Sequence, residues 1–540
     1  MHDDRDGVQE DGHLDRETSG DDELSKEPRL FRSAGAIGIV TLLSRITGLL
    51  RAQCQAFFLG TSAMADAFWV AFMIPNLFRR FVGEGAMSTG FVPILTRYLR
   101  KGDREGFLAL VEKFYTLWTV VLLVVTVVGM LLAGVVLGLC QSSWGAEKID
   151  LAVLLTRWLF PYLFLVSLSA VGQAVLNASG VFAFPASVSM FFNLAVISLA
   201  YSLQFVFPDE DPVWFLVAGI LIGGVLQCLV LVPSLWKRGV RFRPRLPVGH
   251  EGLSESLSLL IKGTFGAGIF QINTLVSTVI AMSLALDGAI SSLRYSALLM
   301  EFVLGIFVFG LSTVGLTALS RHVAVDDEVA VRDTTSKVLR FTIFLTVPST
   351  VGLELVARPV IELTLGFGAF DSGSVDLTLH ALRFHALGLV FVGVSRAMTS
   401  VFYAYKEVGL VVRAAAVNFV VNVILCYVLS RTFLLHGGIA LASSIAALAQ
   451  AAVLTVVLQR RKGILVPREI FHSTLRAVLA SGVMAAVCYG LLRFVEAAEG
   501  RWMLALWTGV TIAVGAAVYF VSSWLLGSQE MKLLLRRRSG

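Results

Sequence analysis

The sequence predicts an all-α polytopic membrane protein, and three observations carry that expectation. Of 540 residues, 56% are hydrophobic and only 15% charged, against roughly 45–50% and 25% in soluble domains. Apolar stretches of about 20 residues recur along nearly the whole chain, long enough to cross a hydrocarbon core of about 30 Å as helices. They are too long for membrane β-strands and lack the alternation of a barrel.

The chain opens on an acidic segment. Residues 1–30 hold 11 acids against 4 bases, a net −7, leaving +13 for the rest of a chain that totals +6. So few large apolar residues predict disorder, and the lack of a basic start and an apolar core excludes a signal peptide. About fourteen spans follow, near 34–58, 62–82, 114–139, 151–176, 183–206, 213–236, 258–284, 289–318, 336–356, 376–404, 410–430, 437–458, 471–494 and 502–526. A mixed stretch, 84–99, trails the second. Alternate loops carry nearly all the bases: Arg97, Arg100, Lys101, Arg104 and Lys113, then Lys237, Arg238, Arg241, Arg243 and Arg245, then Arg321, Arg332, Lys337 and Arg340. Lys406 and Arg413, then Arg460, Arg461, Lys462 and Arg468, continue that side, while the opposite loops hold only Lys148, Arg358, Arg431, Arg493 and Arg501. The positive-inside rule makes the base-rich side, and with it both termini, cytoplasmic.

An internal repeat organises the spans. An offset of 224 carries Ser88-Thr89 onto Ser312-Thr313 and Leu95-Thr96-Arg97 onto Leu319-Ser320-Arg321; near offsets relate Asn193 to Asn418 and Gln227 to Gln450. Spans 1–6 and 7–12 therefore read as two parallel copies of a six-helix unit, a plan that places a transport site between the halves. The expected divisions are an acidic tail at 1–30, a first lobe at 31–245, a second at 246–465, and two added spans at 466–540 with a basic end.

Four cations inside the first two spans, Arg45, Arg51, Arg79 and Arg80, are the strongest functional signal. Each costs about 2.5–3.5 kcal/mol at bilayer depth, so a cluster implies an anion to hold. Guanidinium suits phosphate because its planar fork binds two oxygens and stays ionised when desolvated. Arg45 lies about 16 Å in from the base-rich end, at a depth that Arg79 and Arg80 share, and Arg51 stands about 9 Å further along. The alternatives are internal pairing with Asp66 or Glu84 and, for Arg80, snorkelling to the headgroups. Asp66 and Glu84 are expected to orient arginines. In span 8, Arg294 and Glu301 share a helical face and read equally as functional or self-satisfied. Arg396 lies well inside span 10, and His385, nearer its outer end, reads as hydrogen-bonded packing. Asn273, Asn418, Asn422 and Ser443 offer oxygens for a Na⁺ ion, although helix-to-helix hydrogen bonding explains them better.

Other chemistries find no support. There is no GxxxxGK[ST] motif and no nucleophile–base arrangement. The glycines of Gly263-Thr264-Phe265-Gly266-Ala267-Gly268 open a span rather than a strand–turn–helix. Cys54, Cys140, Cys228, Cys426 and Cys488 are scattered and lack CxxC spacing, which argues against a disulfide framework or metal site. A non-enzymatic transporter is expected, with no cofactor, no nucleic acid, and coupling to membrane potential or a monovalent cation.

Span 2 runs Ala65-Asp66-Ala67-Phe68-Trp69-Val70-Ala71-Phe72-Met73-Ile74-Pro75-Asn76-Leu77-Phe78-Arg79-Arg80, through Glu84-Gly85-Ala86 to Phe91-Val92-Pro93-Ile94-Leu95. Together with Ser44-Arg45-x-x-Gly48-x-x-Arg51 it closely resembles the MurJ (MviN) family of bacterial lipid II flippases, within the multidrug/oligosaccharidyl-lipid/polysaccharide exporter superfamily. The resemblance implies two six-helix lobes around a cationic cavity in the inner membrane, and a final helix pair forming an apolar groove for the polyprenyl tail. It also implies a substrate, undecaprenyl-pyrophosphate carrying the peptidoglycan precursor (lipid II), whose pyrophosphate supplies the missing anion. The family's essential arginines match Arg45, Arg51 and Arg79, with Ser44 and Gly48 supporting them. The sequence departs from the pattern in span 8, where Ala297 and Leu298 stand in place of a common Asp-Arg; Arg294, one turn earlier, is the expected substitute. Ala52 and Asn422 stand where some relatives carry acids. Two alternatives are a flippase for another polyprenyl-linked oligosaccharide and a non-transporting scaffold of envelope synthesis, working among cell-wall synthesis proteins.

Overall fold

The computed structural model describes residues 27–79, 87–140, 143–247 and 249–536, and those residues are helical apart from short connections. The first half comprises α1 (Glu27–Leu59), α2 (Ala63–Arg79), a π-turn (Met87–Phe91), α3 (Val92–Arg100), α4 (Arg104–Leu139), α5 (Ala146–Ala178), α6 (Ala183–Val206) and α7 (Pro212–Trp236). The second comprises α8 (Glu251–Met282), α9 (Ala289–Ala324), α10 (Glu328–Thr364), α11 (Ser372–Leu387), α12 (Leu389–Ala404), α13 (Val408–Leu429) and α14 (Leu435–Lys462), and α15 (Pro467–Glu496), α16 (Arg501–Leu525) and the short α17 (Gln529–Arg536) close the chain. Aspartate caps open α4, α10 and α11: Asp103, Asp327 and Asp371 each accept the backbone N–H three residues on, satisfying donors that have no partner within the helix.

Ten of these helices are long and apolar enough to cross a membrane, and α11 with α12 make an eleventh, bent by 44°. Two shorter apolar stretches, Ala63–Leu77 and Gln271–Met282, lie within α2 and α8. The single span expected at 376–404 is therefore broken at Gly388. There α14 crowds in, so that a Cβ on Gly388 would fall 2.5 Å from Ser444 Oγ. The same hydroxyl donates to Phe384 O at 2.7 Å, and Thr350 donates to Ala386 O at 3.3 Å, satisfying carbonyls beside the bend. Most of the acidic tail, residues 1–26, lies outside the described residues, as do Arg80 and Glu84.

Packing is denser within each half than between them. In the first half α6 packs on α1 and α7, and α5 on α2, α4 and α7; in the second α13 packs on α8 and α14, and α9 on α10, α11 and α12. The halves meet at two ends. At one, α2 touches α9, and Ala369 N donates to Phe57 O at 2.8 Å while the Thr61 hydroxyl reaches Ser374 Oγ at 2.9 Å. At the base-rich end the first turns of α8 pack on the π-turn and α4, with Arg97 paired bidentately to Glu255; Arg245, in the connection before α8, pairs with Glu112 of α4. Helices α15 and α16 seat on α10 through Phe344, Ala480, Met484, Cys488 and Tyr519.

Candidate functional site

Between the halves lies a cavity of about 1140 Å³. Its wall mixes apolar and aromatic residues with Arg51, Arg294, Arg396, Glu301 and a set of amides. In a chain this apolar, polar side chains converge where they face water or a polar ligand rather than lipid.

Arg51 is held from α6. Its Nε donates to Asn193 Oδ1 at 2.9 Å, and Asn193 Nδ2 reaches back to Thr47 Oγ1 at 3.2 Å and to Ser44 O at 3.4 Å. Gly48 lies beside that amide, where a Cβ would meet Asn193 Nδ2 at an ordinary 3.7 Å. Arg45, two turns earlier on α1, reaches across to α9. Its Nη1 stands 2.5 Å from where a Cβ on Gly305 would be, and its guanidinium lies 5.0 Å from the Phe309 ring. Arg396 approaches the same ring from α12 at 4.1 Å and feels the opposing charges of Glu301 and Arg45. Arg294 stands over Trp69 of α2 at 5.2 Å. Arg79 closes α2, and its side chain lies outside the described set.

Two expectations change. Asp66 orients no described arginine: its carboxylate receives Lys148 Nζ at 3.0 Å and the Gly288 N–H, Ser291 N–H and Ser291 hydroxyl at 2.9 Å each. The reason is distance, because thirteen residues of helix put Asp66 about 20 Å from Arg79. Gly288 permits this approach with φ of +85°, where a Cβ would strike Thr61 O. Nor does Arg294 stand opposite Arg45. Eleven residues of α9 separate it from Gly305, about 16 Å of rise.

Asn273, Asn418, Asn422 and Ser443 all line the cavity. Asn422 Nδ2 donates to Asn273 Oδ1 at 2.8 Å and to Ser277 Oγ at 2.9 Å, and Asn273 Nδ2 to Asn418 Oδ1 at 3.5 Å. With these oxygens facing N–H donors and no carboxylate among them, the set fits an α8–α13 hydrogen-bond ladder and does not fit a Na⁺ site. Among the described residues no group of three or more His, Cys, Asp or Glu side chains could hold a metal. His385 bonds Ser296 Oγ at 2.9 Å from a buried position. Sequence reasoning noted Arg396 without giving it a role and passed over Asn193 as a ligand of Arg51; an intramembrane arginine was the available signal for the first.

A polar, arginine-bearing cavity between two sets of membrane-spanning helices defines a polytopic transporter of polar or anionic substrates. The chain belongs to the lipid II flippase MurJ family, whose family model matches residues 55–510. It is 32% identical over 459 residues to the probable lipid II flippase MurJ of Treponema pallidum, covering 82% of this chain and 84% of that one. It is likewise 32% identical to the lipid II flippase MurJ of Burkholderia cenocepacia, covering 92% and 98%. A solved lipid II flippase MurJ in an inward closed conformation superposes with a TM-score of 0.76 at 25% identity, covering 91% of this chain and 98% of that one. An inward-facing multidrug transporter of the MATE family shares the fold, with a TM-score of 0.67 at 14% identity over 79% and 98%.

Proposed function

We propose that this protein flips lipid II, the undecaprenyl-pyrophosphate-linked peptidoglycan precursor, from the cytoplasmic to the outer leaflet of the bacterial inner membrane by alternating access. The observation that carries the reading is the cavity between the halves, with arginines from α1, α9 and α12 in or beside it. Arg45 and Arg79, near the base-rich end, take the pyrophosphate; Arg51 and Arg294 stand further along the path. The sugar–peptide head group occupies the polar cavity while the polyprenyl tail stays in lipid, guided by α15 and α16.

The same reading takes α1, α2, α4 to α10, the bent pair α11/α12, and α13 to α16 as fourteen spans, with both termini cytoplasmic. What supports two repeated lobes is that α1–α6 and α8–α13, the pairs that correspond under the repeat, both pack closely. Each pair is joined through the repeat-related asparagines, Asn193 and Asn418.

The test is translocation of lipid II into the outer leaflet of proteoliposomes or at the cell surface. Wild type should translocate, and Arg45→Ala should lose at least tenfold in rate at unchanged expression. An inactive wild type, or an Arg45→Ala variant as fast as wild type, overturns the reading.

A further inference from the structure

We propose that Arg396 is the second-half arm of the diphosphate clamp, with Phe309 as the spacer that holds it beside Arg45. This rests on the reading of the cavity as a pyrophosphate-lipid site. A clamp that drives two halves together needs a cation from each. Arg45 supplies the first half's, and in span 8 Leu298 stands where the family resemblance implies an arginine. Arg294 stands about 16 Å along α9 from Gly305, too far to share one diphosphate with Arg45.

Arg396 occupies the required place. Its guanidinium lies 4.1 Å from the Phe309 ring centroid, and that of Arg45 lies 5.0 Å from the same centroid. An aromatic ring attracts cations to its face, so Phe309 brings together two like charges that would otherwise repel. Among the described residues neither guanidinium has a carboxylate within 4 Å, so both keep hydrogen-bonding capacity for a ligand. Glu301, on α9 and lining the cavity, is the acid Arg396 feels; it balances part of the charge while the clamp is empty. Two guanidiniums on one ring, contributed by opposite halves, match the two phosphates of a diphosphate, each offering oxygens to a planar fork.

The experiment titrates the purified full-length protein, in nanodiscs, with a short-chain polyprenyl diphosphate and with the prenyl alcohol of the same length. Wild type should prefer the diphosphate. Arg396→Ala and Arg45→Ala should each weaken it at least tenfold and lower its salt dependence, with little effect on the alcohol. The double variant should lose less than the product of the two single losses, because the arginines act as one site. Arg396→Lys keeps the charge without the fork, so it should melt like wild type yet bind the diphosphate several-fold more weakly. Wild-type affinity in a folded Arg396→Ala or Arg396→Lys protein, alongside loss in Arg45→Ala, overturns the role of Arg396 and leaves the flippase reading standing. No preference for the diphosphate in wild type would instead overturn the pyrophosphate reading itself.

Discussion

Arg51 shows how an intramembrane cation is oriented from a neighbouring helix. Asn193 offers it a carbonyl oxygen, which orients the guanidinium without placing a further negative charge beside it. Exchanging that oxygen for a charged one changes the outcome. Asn193→Asp keeps the acceptor but adds a carboxylate directly on the Arg51 guanidinium, so lipid II transport should fall further than in Asn193→Ala. Melting, by contrast, should suffer more in the alanine variant, which loses the bonds to Arg51 and Thr47. Transport by Asn193→Asp at the wild-type rate would sink the idea that a neutral acceptor is required beside Arg51. Arg45 and Arg51 were legible in the sequence because a cation at bilayer depth is expensive enough to stand out. Their neighbours were not. Asn193 comes 142 residues after Arg51, and Asp66, an acid on the same span as Arg79, serves Lys148 and the opposite half instead.

At the scale of elements, a buried polar clasp fastens the C-terminal helix. Arg340 on α10, 8% exposed, donates Nε to Glu530 Oε1 at 2.6 Å, and its other nitrogens reach Glu469 Oε2 and Gln529 Oε1. Ser473 and Ser528 add hydroxyl donors to the Glu530 carboxylate. Burial alone would raise the pKa of Glu530, but the Ser528 hydroxyl, a backbone N–H and Arg340 together hold it below its ordinary 4.5. A carboxylate lowered on folding contributes stability that is complete above its unfolded value and is lost as pH falls through the folded one. Glu530→Gln should therefore cost about 1.5–3 kcal/mol at pH 7, the worth of hydrogen bonds to a charged group, with the gap to wild type closing below pH 4.5. Thermal melts across that range read it; a gap that is absent at pH 7, or unchanged at pH 3, would count against the clasp. Hydropathy revealed α15 and α16 as spans but not this fastening, because Glu530 and Arg340 are 190 residues apart. The bend at Gly388 was hidden for a similar reason: the residue that crowds it, Ser444, belongs to another helix.

For the whole molecule, the two ends are held unequally, and that asymmetry bears on the transport cycle. At the base-rich end Arg97–Glu255 is about half-exposed, and such surface pairs are worth about 0–1 kcal/mol. At the opposite end Asp66 is fully buried and accepts four hydrogen bonds, three of them from α9 or its N-cap Gly288 and the other from Lys148. Lys148 also pairs with Asp287 at 2.8 Å. Opening that end exposes a carboxylate already satisfied in the interior, whereas opening the base-rich end exposes Leu253 and Leu260 of α8, which are buried among apolar residues of the first half. Alternating access requires each closure to part in turn, one held by buried polar contacts and the other by apolar packing. Thr61 and Ser374 allow a direct test, since their hydroxyl oxygens touch at 2.9 Å across the closed end. A Thr61→Cys/Ser374→Cys pair is close enough to oxidise, given that Cβ atoms of about 3.5–4.5 Å separation accept a disulfide. Oxidation should abolish lipid II translocation and a thiol reductant should restore it, while each single cysteine variant, oxidised in parallel, should transport normally. Full transport by the oxidised pair would mean that the α1–α2 turn and α11 stay together throughout the cycle, and alternating access across this end would have to be abandoned.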